Sequence, residues 1–239
     1  MSARLEAPRL MRTLLEVIVQ SVVDARAAAR AGADRLEVVR RIEDGGLTPP
    51  IALVREIAAE VSLPLRVMVR ENAGYTTSPV ELLALQRAAS SLAELQVDGL
   101  VVGFAAAGEI ELEPVCQVMD AAPGMNVTFH RAFDQLRDPL AAIDALANVP
   151  GIDRILTGGG EGAPAVRSRR LRAYQERAGP RLTIIAGGGV DAAMLASLVR
   201  TGVVREVHVG RAAREGHDPE AAVAAAEVSR LREIIDTRE

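Results

Sequence analysis

At 239 residues, with 49% apolar and 25% charged side chains, the chain has the balance of a soluble globular protein with a sizeable core, and disorder over most of its length is excluded. Its apolar runs fall far short of the ~20 residues a membrane-spanning helix needs, and 28 basic against 32 acidic residues, net −4, do not suggest a nucleic-acid partner. Every basic side chain is arginine, so chemistry through a lysine Schiff base is excluded as well.

Short β-branched runs recur at 14–19, 35–39, 65–69, 99–102, 126–129, 154–156, 182–186 and 206–209, about 27 residues apart on average. Between them, Ala-, Leu- and Arg-rich stretches with helical spacing occupy 22–31, 51–61, 80–95, 112–121, 140–148, 171–177, 192–200 and 221–235. Strict alternation of this kind predicts a parallel sheet with helices outside. An internal echo supports closure of that sheet. Ala33-Asp34-Arg35-Leu36-Glu37-Val38 resembles Val97-Asp98-Gly99-Leu100-Val101-Val102 and Ile152-Asp153-Arg154-Ile155-Leu156-Thr157, and a degenerate copy starts at Val203. Four copies of a two-unit repeat predict an α/β fold, a single-domain (β/α)8 barrel over 14–239, with 1–13 as a loose N-terminal extension. An open doubly wound sheet is the alternative.

In such a barrel the site forms at the carboxyl ends of the strands, so polar residues of inward parity near those ends are the candidates. They are Glu16 with Gln20 and Ser21, then Arg35 and Glu37, Arg70, Thr128, His130, Arg131 and Asp134, Thr157, and His208. Taken singly, some read as internal ion pairs, for instance Glu37 with Arg70 or Glu16 with Arg35. Gly187-Gly188-Gly189 after the seventh predicted strand and Gly210-Arg211 after the eighth, each read as opening a helix, would let backbone N–H groups approach an anion closely. Gly158-Gly159-Gly160 would extend that cradle or form a lid. The arginine-rich run Val166-Arg167-Ser168-Arg169-Arg170-Leu171-Arg172 reads as a solvated helix face.

The block Val127-Thr128-Phe129-His130-Arg131-Ala132-Phe133-Asp134 resembles the most distinctive motif of the CutC family. Gly45-Gly46-Leu47-Thr48-Pro49, Val67-Met68-Val69-Arg70, Asp98-Gly99 with Gly103, Ala186-Gly187-Gly188-Gly189 and Glu206-Val207-His208 agree with it in order. The resemblance implies a cytoplasmic (β/α)8 barrel, often a homodimer, linked to copper homeostasis. The sequence also departs from that pattern. Val39 stands where the family commonly has Cys, Gly158 where Ser is usual, and Val209-Gly210-Arg211 where Ser and Ala follow the His. The third-strand loop reads Arg70-Glu71-Asn72-Ala73-Gly74-Tyr75 in place of Arg-Pro-Arg with Gly-Asp-Phe.

The one cysteine, Cys116, falls in the fourth predicted helix, so the mouth offers copper(I) no thiolate, and copper is implied by the family name alone. A single cysteine also excludes an intramolecular disulfide framework. With no basic segment leading into an apolar one at the start, the expected location is cytoplasmic.

The residues therefore predict binding of a small anionic metabolite, with no nucleic acid or membrane as partner. Acid/base chemistry of lyase or isomerase type would run through His130, with Glu16 or Glu37 as proton partner. Arg70 and Arg131 would neutralise the ligand, and Gly187–Gly189 and Gly210–Arg211 would hold its phosphate or carboxylate. Two alternatives remain at this point: a non-catalytic metal-binding protein using His130 and His208 with Glu16 or Glu37, and a sugar-phosphate isomerase-type barrel.

Overall fold

Eight parallel strands close into a barrel in a computed structural model that describes residues 12–237. The strands are β1 (Leu14–Val19), β2 (Arg35–Val38), β3 (Leu65–Met68), β4 (Gly99–Val102), β7 (Asn126–Phe129), β8 (Ile152–Thr157), β9 (Thr183–Ala186) and β10 (Glu206–Val209), neighbours in that order with β10 closing on β1. The helices α1 (Val22–Arg30), α2 (Ile51–Glu60), α3 (Pro79–Glu94), α4 (Leu112–Asp120), α5 (Pro139–Ala147), α6 (Pro164–Ala178), α7 (Ala192–Thr201) and α8 (Ala225–Asp236) alternate with them. The (β/α)8 expectation holds.

Side-chain alternation divides the barrel into two environments. Leu15, Val17, Leu36, Val38, Val67, Leu100, Phe129, Ile184 and Val207 are fully buried in the main core shared with the helices. A smaller apolar group, Val39, Met68 and Val101 with Ile18 and Ile42, fills part of the interior. The rest of the interior is ionic. Arg35 joins Glu16 to Glu206, Arg154 joins Glu206 to Asp153, and Arg66 joins Asp153 to Asp98. Arg66 is fully buried and forks onto both Asp153 oxygens at 3.0 and 2.8 Å, the geometry in which buried guanidinium–carboxylate pairing best offsets desolvation. Gly99 makes room for it: a Cβ there would lie 2.5 Å from the Asn126 carbonyl and 2.6 Å from Arg66 Nη1.

Several local expectations change. Between β4 and α4 the chain forms a hairpin, β5 (Ala105–Ala106) with β6 (Glu109–Ile110), whose two turn residues Ala107 and Gly108 both have positive φ, at 50° and 80°. Helix α6 starts at Pro164, seven residues before the predicted 171, with Pro as a preset first helical residue. After β10 Gly210 opens only a 3-10 turn, Arg211–Ala213, rather than an α-helix; a second 3-10 turn, Glu215–His217, follows, and α8 begins at Ala225 rather than 221. Buried Arg214 holds that segment by donating to the Ala221 and Ile18 carbonyls, while Val223 N–H bonds Asp24.

The predicted extension 1–13 lies mostly outside the described residues, but its last residue belongs to the barrel: Thr13 is buried and its carbonyl accepts from Arg232. No helix among the described residues is long and apolar enough to cross a membrane.

Candidate active site

A cavity of about 540 Å³ opens at the carboxyl ends of the strands. Of the predicted residues, Glu37, Arg70, His130, Arg131, His208, Gly188, Gly189, Gly210 and Arg211 line it; Glu16, Gln20, Ser21, Arg35, Thr128, Asp134, Thr157 and Gly187 do not.

Glu16 lies just below the cavity, wholly buried. One of its oxygens pairs with Arg35 and the other sits 2.7 Å from His208 Nδ1. The Glu16–Arg35 ion pair is therefore formed, whereas Glu37 makes no pair with Arg70, because the register places Glu37 beside Arg66. Burial alone would raise the Glu16 carboxyl, but Arg35 and His208 outweigh it and hold the group well below the usual carboxylate range. Burial alone would likewise lower His208; the facing Glu37 and Glu16 carboxylates reverse this and raise it. Each thus favours the charged form of the other, a carboxylate beside an imidazole of raised proton affinity.

Glu37 is in the opposite condition. Its Oε2, buried and 3.3 Å from His208 Nδ1, accepts no hydrogen bond. Burial and the like charge of Glu16 outweigh the attraction of His208 and Arg35, and its carboxyl is pushed up to about 7.

His130 follows β7, and its Nδ1 accepts the backbone N–H of Ala132 at 3.1 Å. That bond assigns the proton to Nε2, which is buried without a partner. Burial, then the positive charge of Arg70 and Arg131, takes the imidazole down to about 3, so it is neutral at physiological pH. The ring is fixed by Tyr75, 5.6 Å away between centroids, and by Gly103, where a Cβ would come within 2.8 Å of Nδ1. The sequence reading made His130 the general acid or base. With this protonation it is an uncharged N–H donor, and Glu37 is the group that titrates near neutrality.

Arg70 stacks over Tyr75 at 4.8 Å and donates to the carbonyls of Gly45, Gly46, Ala73 and Gly74, so it knits two loops together while its charge faces the cavity. Asp134 and Thr157 are positioning groups. Asp134 accepts from Thr157 Oγ1 at 2.5 Å, Gly158 N at 3.1 Å and Arg131 Nε at 3.0 Å, strapping the loop after β7 to that after β8. Thr157 has outward parity, since its neighbour Leu156 lines the cavity.

The glycine run 158–160 is tied down rather than free as a lid. Arg167 donates to the Gly158 carbonyl at 2.7 Å, and Arg170 to Gly159 and Glu161. Of the run 166–172, expected as a solvated face, Arg169, Arg170 and Arg172 are exposed, while Arg167 and Arg170 also clamp the loop.

Sequence reasoning missed Tyr75, Met68, Asp191 and His217 in the cavity wall. Asp191 caps α7 through Met194 N–H at 2.8 Å, so that helix terminus already carries a carboxylate. His217 is brought to the rim by the segment after β10, in a left-handed conformation with φ 59°. The signal available was a third histidine, next to a glycine, in the last strand's loop.

A cluster of possible metal ligands comprises Glu16, Glu37 and His208, with one ligand atom from each within 4.8 Å of the others; His130 is not part of it. Cys116, in α4, is half-buried and absent from the cavity wall.

Residues 13–213 match the model of the CutC family. The human copper homeostasis protein cutC homolog is 33% identical over 197 residues, 82% of this chain and 72% of that protein. A family protein CutC from Bacteroides fragilis (strain YCH46) is 35% identical over 199 residues, covering 82% and 78%. The crystal structure of a copper homeostasis protein CutC from Streptococcus agalactiae superposes with a TM-score of 0.76 at 27% identity, over 82% of this chain and 97% of that one. The thiamine phosphate pyrophosphorylase of Pyrococcus furiosus, with a TM-score of 0.60 at 16% identity over 95% and 97%, shares the fold alone. By the span of the family match and the identity of these relatives, the chain belongs to the CutC family.

Proposed function

We propose that this barrel binds a small anionic metabolite and moves a proton at a carbon next to its carbonyl, as in an isomerisation, epimerisation or imine-free cleavage. One observation carries the reading: Glu37 Oε2, whose one neighbour of opposite charge is His208, and His130 Nε2 are both buried, make no hydrogen bond, and belong to residues lining the same cavity. Unpaired buried polar atoms are costly and recur where a ligand completes them. Glu37, titrating near 7, is the base. Neutral His130 donates Nε2–H to the carbonyl oxygen as negative charge develops there. The Glu16–His208 pair fixes the charge beside Glu37, and Arg70, Arg131 and Arg211 in the wall favour an anion.

Solvent exchange tests this. Wild type in D2O should introduce deuterium next to the carbonyl in a member of a panel of sugar phosphates and 2-oxo acids, and Glu37→Gln should abolish it. Absence of exchange and of binding across both classes would remove the basis of the proposal. A cytoplasmic location and a homodimer belong to the same reading, supported by the family resemblance.

Copper, which the names of the human and Streptococcus agalactiae relatives carry, does not fit the residues present. Copper(I) favours thiolate and thioether ligands, and the cavity wall carries one thioether, Met68, and no thiol. The second reading is a divalent ion of the zinc, manganese or iron(II) type on Glu16, Glu37 and His208, favoured by their shared donor geometry. Arg35 on Glu16 and the raised proton affinity of His208 oppose it. Metal analysis of untagged protein decides: stoichiometric metal, lost in His208→Ala, would favour the ion.

A further inference from the structure

We infer that Arg167 is a positioning residue that turns two glycine peptides so that the N–H groups of Gly188 and Gly189 form a receptor for a tetrahedral oxyanion, the phosphoryl group of a phosphate monoester. The inference rests on the anionic-metabolite reading and names the atoms that hold the anion.

Arg167 belongs to α6 and does not line the cavity. Its Nη2 donates to the carbonyls of Gly187 at 3.1 Å and Gly188 at 2.9 Å, and its Nε to that of Gly158 at 2.7 Å. In a planar trans peptide the C=O and the following N–H point in opposite directions, and no cis peptide occurs among the described residues. Fixing the Gly187 and Gly188 carbonyls on Arg167 therefore directs the N–H groups of Gly188 and Gly189 away from α6. Both glycines line the cavity, and neither N–H finds an acceptor among the described residues, whereas Gly187 N–H is bonded to the Thr157 carbonyl at 2.9 Å.

The glycines suit the task. Their φ values, 67° and 84°, lie in the left-handed region. A Cβ on Gly188 would come 3.0 Å from Arg131 Nε, so that guanidinium lies directly against the peptide and supplies a third donor. A Cβ on Gly189 would meet nothing within 4 Å, so the space beside it is open. Arg167 has no carboxylate within ion-pair distance among the described residues, and its charge reinforces the potential from behind the loop. Two N–H groups and a guanidinium match the three terminal oxygens of a phosphoryl group better than the two of a carboxylate.

The probe is inorganic phosphate, titrated into 15N-labelled protein. In wild type the amide resonances of Gly188 and Gly189 should shift and saturate together. Arg167→Ala should weaken phosphate binding by about tenfold or more and remove those shifts. Arg169→Ala deletes the same charge from an exposed position of α6 and should keep the affinity within about twofold. Arg167→Lys, whose single nitrogen cannot reproduce the fork, should also lose affinity, which keeps the test decisive if the alanine variant does not fold. Phosphate binding with the Gly188 and Gly189 resonances unmoved, or equal affinity in wild type and the folded Arg167 variants, would overturn this inference and leave the anionic-metabolite reading standing. Wild type that binds no phosphate would overturn the inference, and exchange on the 2-oxo acids would then decide the broader reading.

Discussion

Glu37→Gln replaces a strained buried acid by its neutral shape, and the consequence for stability has a definite sign. The Glu37 carboxyl is raised from 4.5 to about 7 by burial and by Glu16. The folded state therefore holds its proton more tightly than the unfolded chain. That contribution is fully present below pH 4.5 and is lost as pH rises through 7. Integrated between pH 5 and pH 8, wild type loses about 2.5 kcal/mol from this group alone, whereas Glu37→Gln has no such loss. Urea unfolding at the two pH values gives the number directly. The variant should gain on wild type by roughly that amount as pH rises, while losing solvent exchange activity. A stability gap that is flat with pH, or that moves against the variant, would mean that Glu37 is ionised in the fold at ordinary pH and is no base poised near neutrality.

Other consequences are independent of that group. His130 should show the Nε2–H tautomer from pH 5 to pH 9 in 15N spectra of the imidazole, with no titration step, because its proton affinity is lowered to about 3. Gly99→Ala should cost about 3 kcal/mol or more in chemical denaturation, since its Cβ would displace Arg66 from Asp98 and Asp153 or push on the Asn126 carbonyl. Copper(I) titrated against a competing chelator should bind wild type and Cys116→Ser equally weakly, as Cys116 is no part of the cavity wall.

Strand positions were legible because parallel barrel strands are buried on both faces and read as short, largely apolar runs, as 99–102 and 183–186 do. The inward ionic set was legible for the same reason: Glu16, Arg35 and Glu37 break an otherwise apolar pattern. Their partners were not, since pairing depends on register across strands; Glu37 falls beside Arg66 and Arg70 turns to loop carbonyls instead. The inward assignment of Thr157 fails because the pairing of β8 with β7 skips one residue, Val127 facing Ile152 but Thr128 facing Arg154, and a one-residue irregularity reverses the alternation.

The 105–110 hairpin lacked the usual Asn-Gly signal, as its turn is Ala107-Gly108. The start of α6 was hidden because its first turns carry arginines that face glycine loops rather than an apolar stripe. Protonation states were the least legible of all: that His130 is neutral and Glu37 titrates near 7 follows from burial and neighbours that only the folded chain assembles.

The most direct test of the central claim is a crystal structure of Glu37→Gln with a bound 2-oxo acid or sugar phosphate. The ligand's carbonyl oxygen should lie within hydrogen-bond distance of His130 Nε2, with the adjacent carbon facing residue 37. A ligand bound elsewhere in the cavity, with His130 Nε2 still unpartnered, would contradict it.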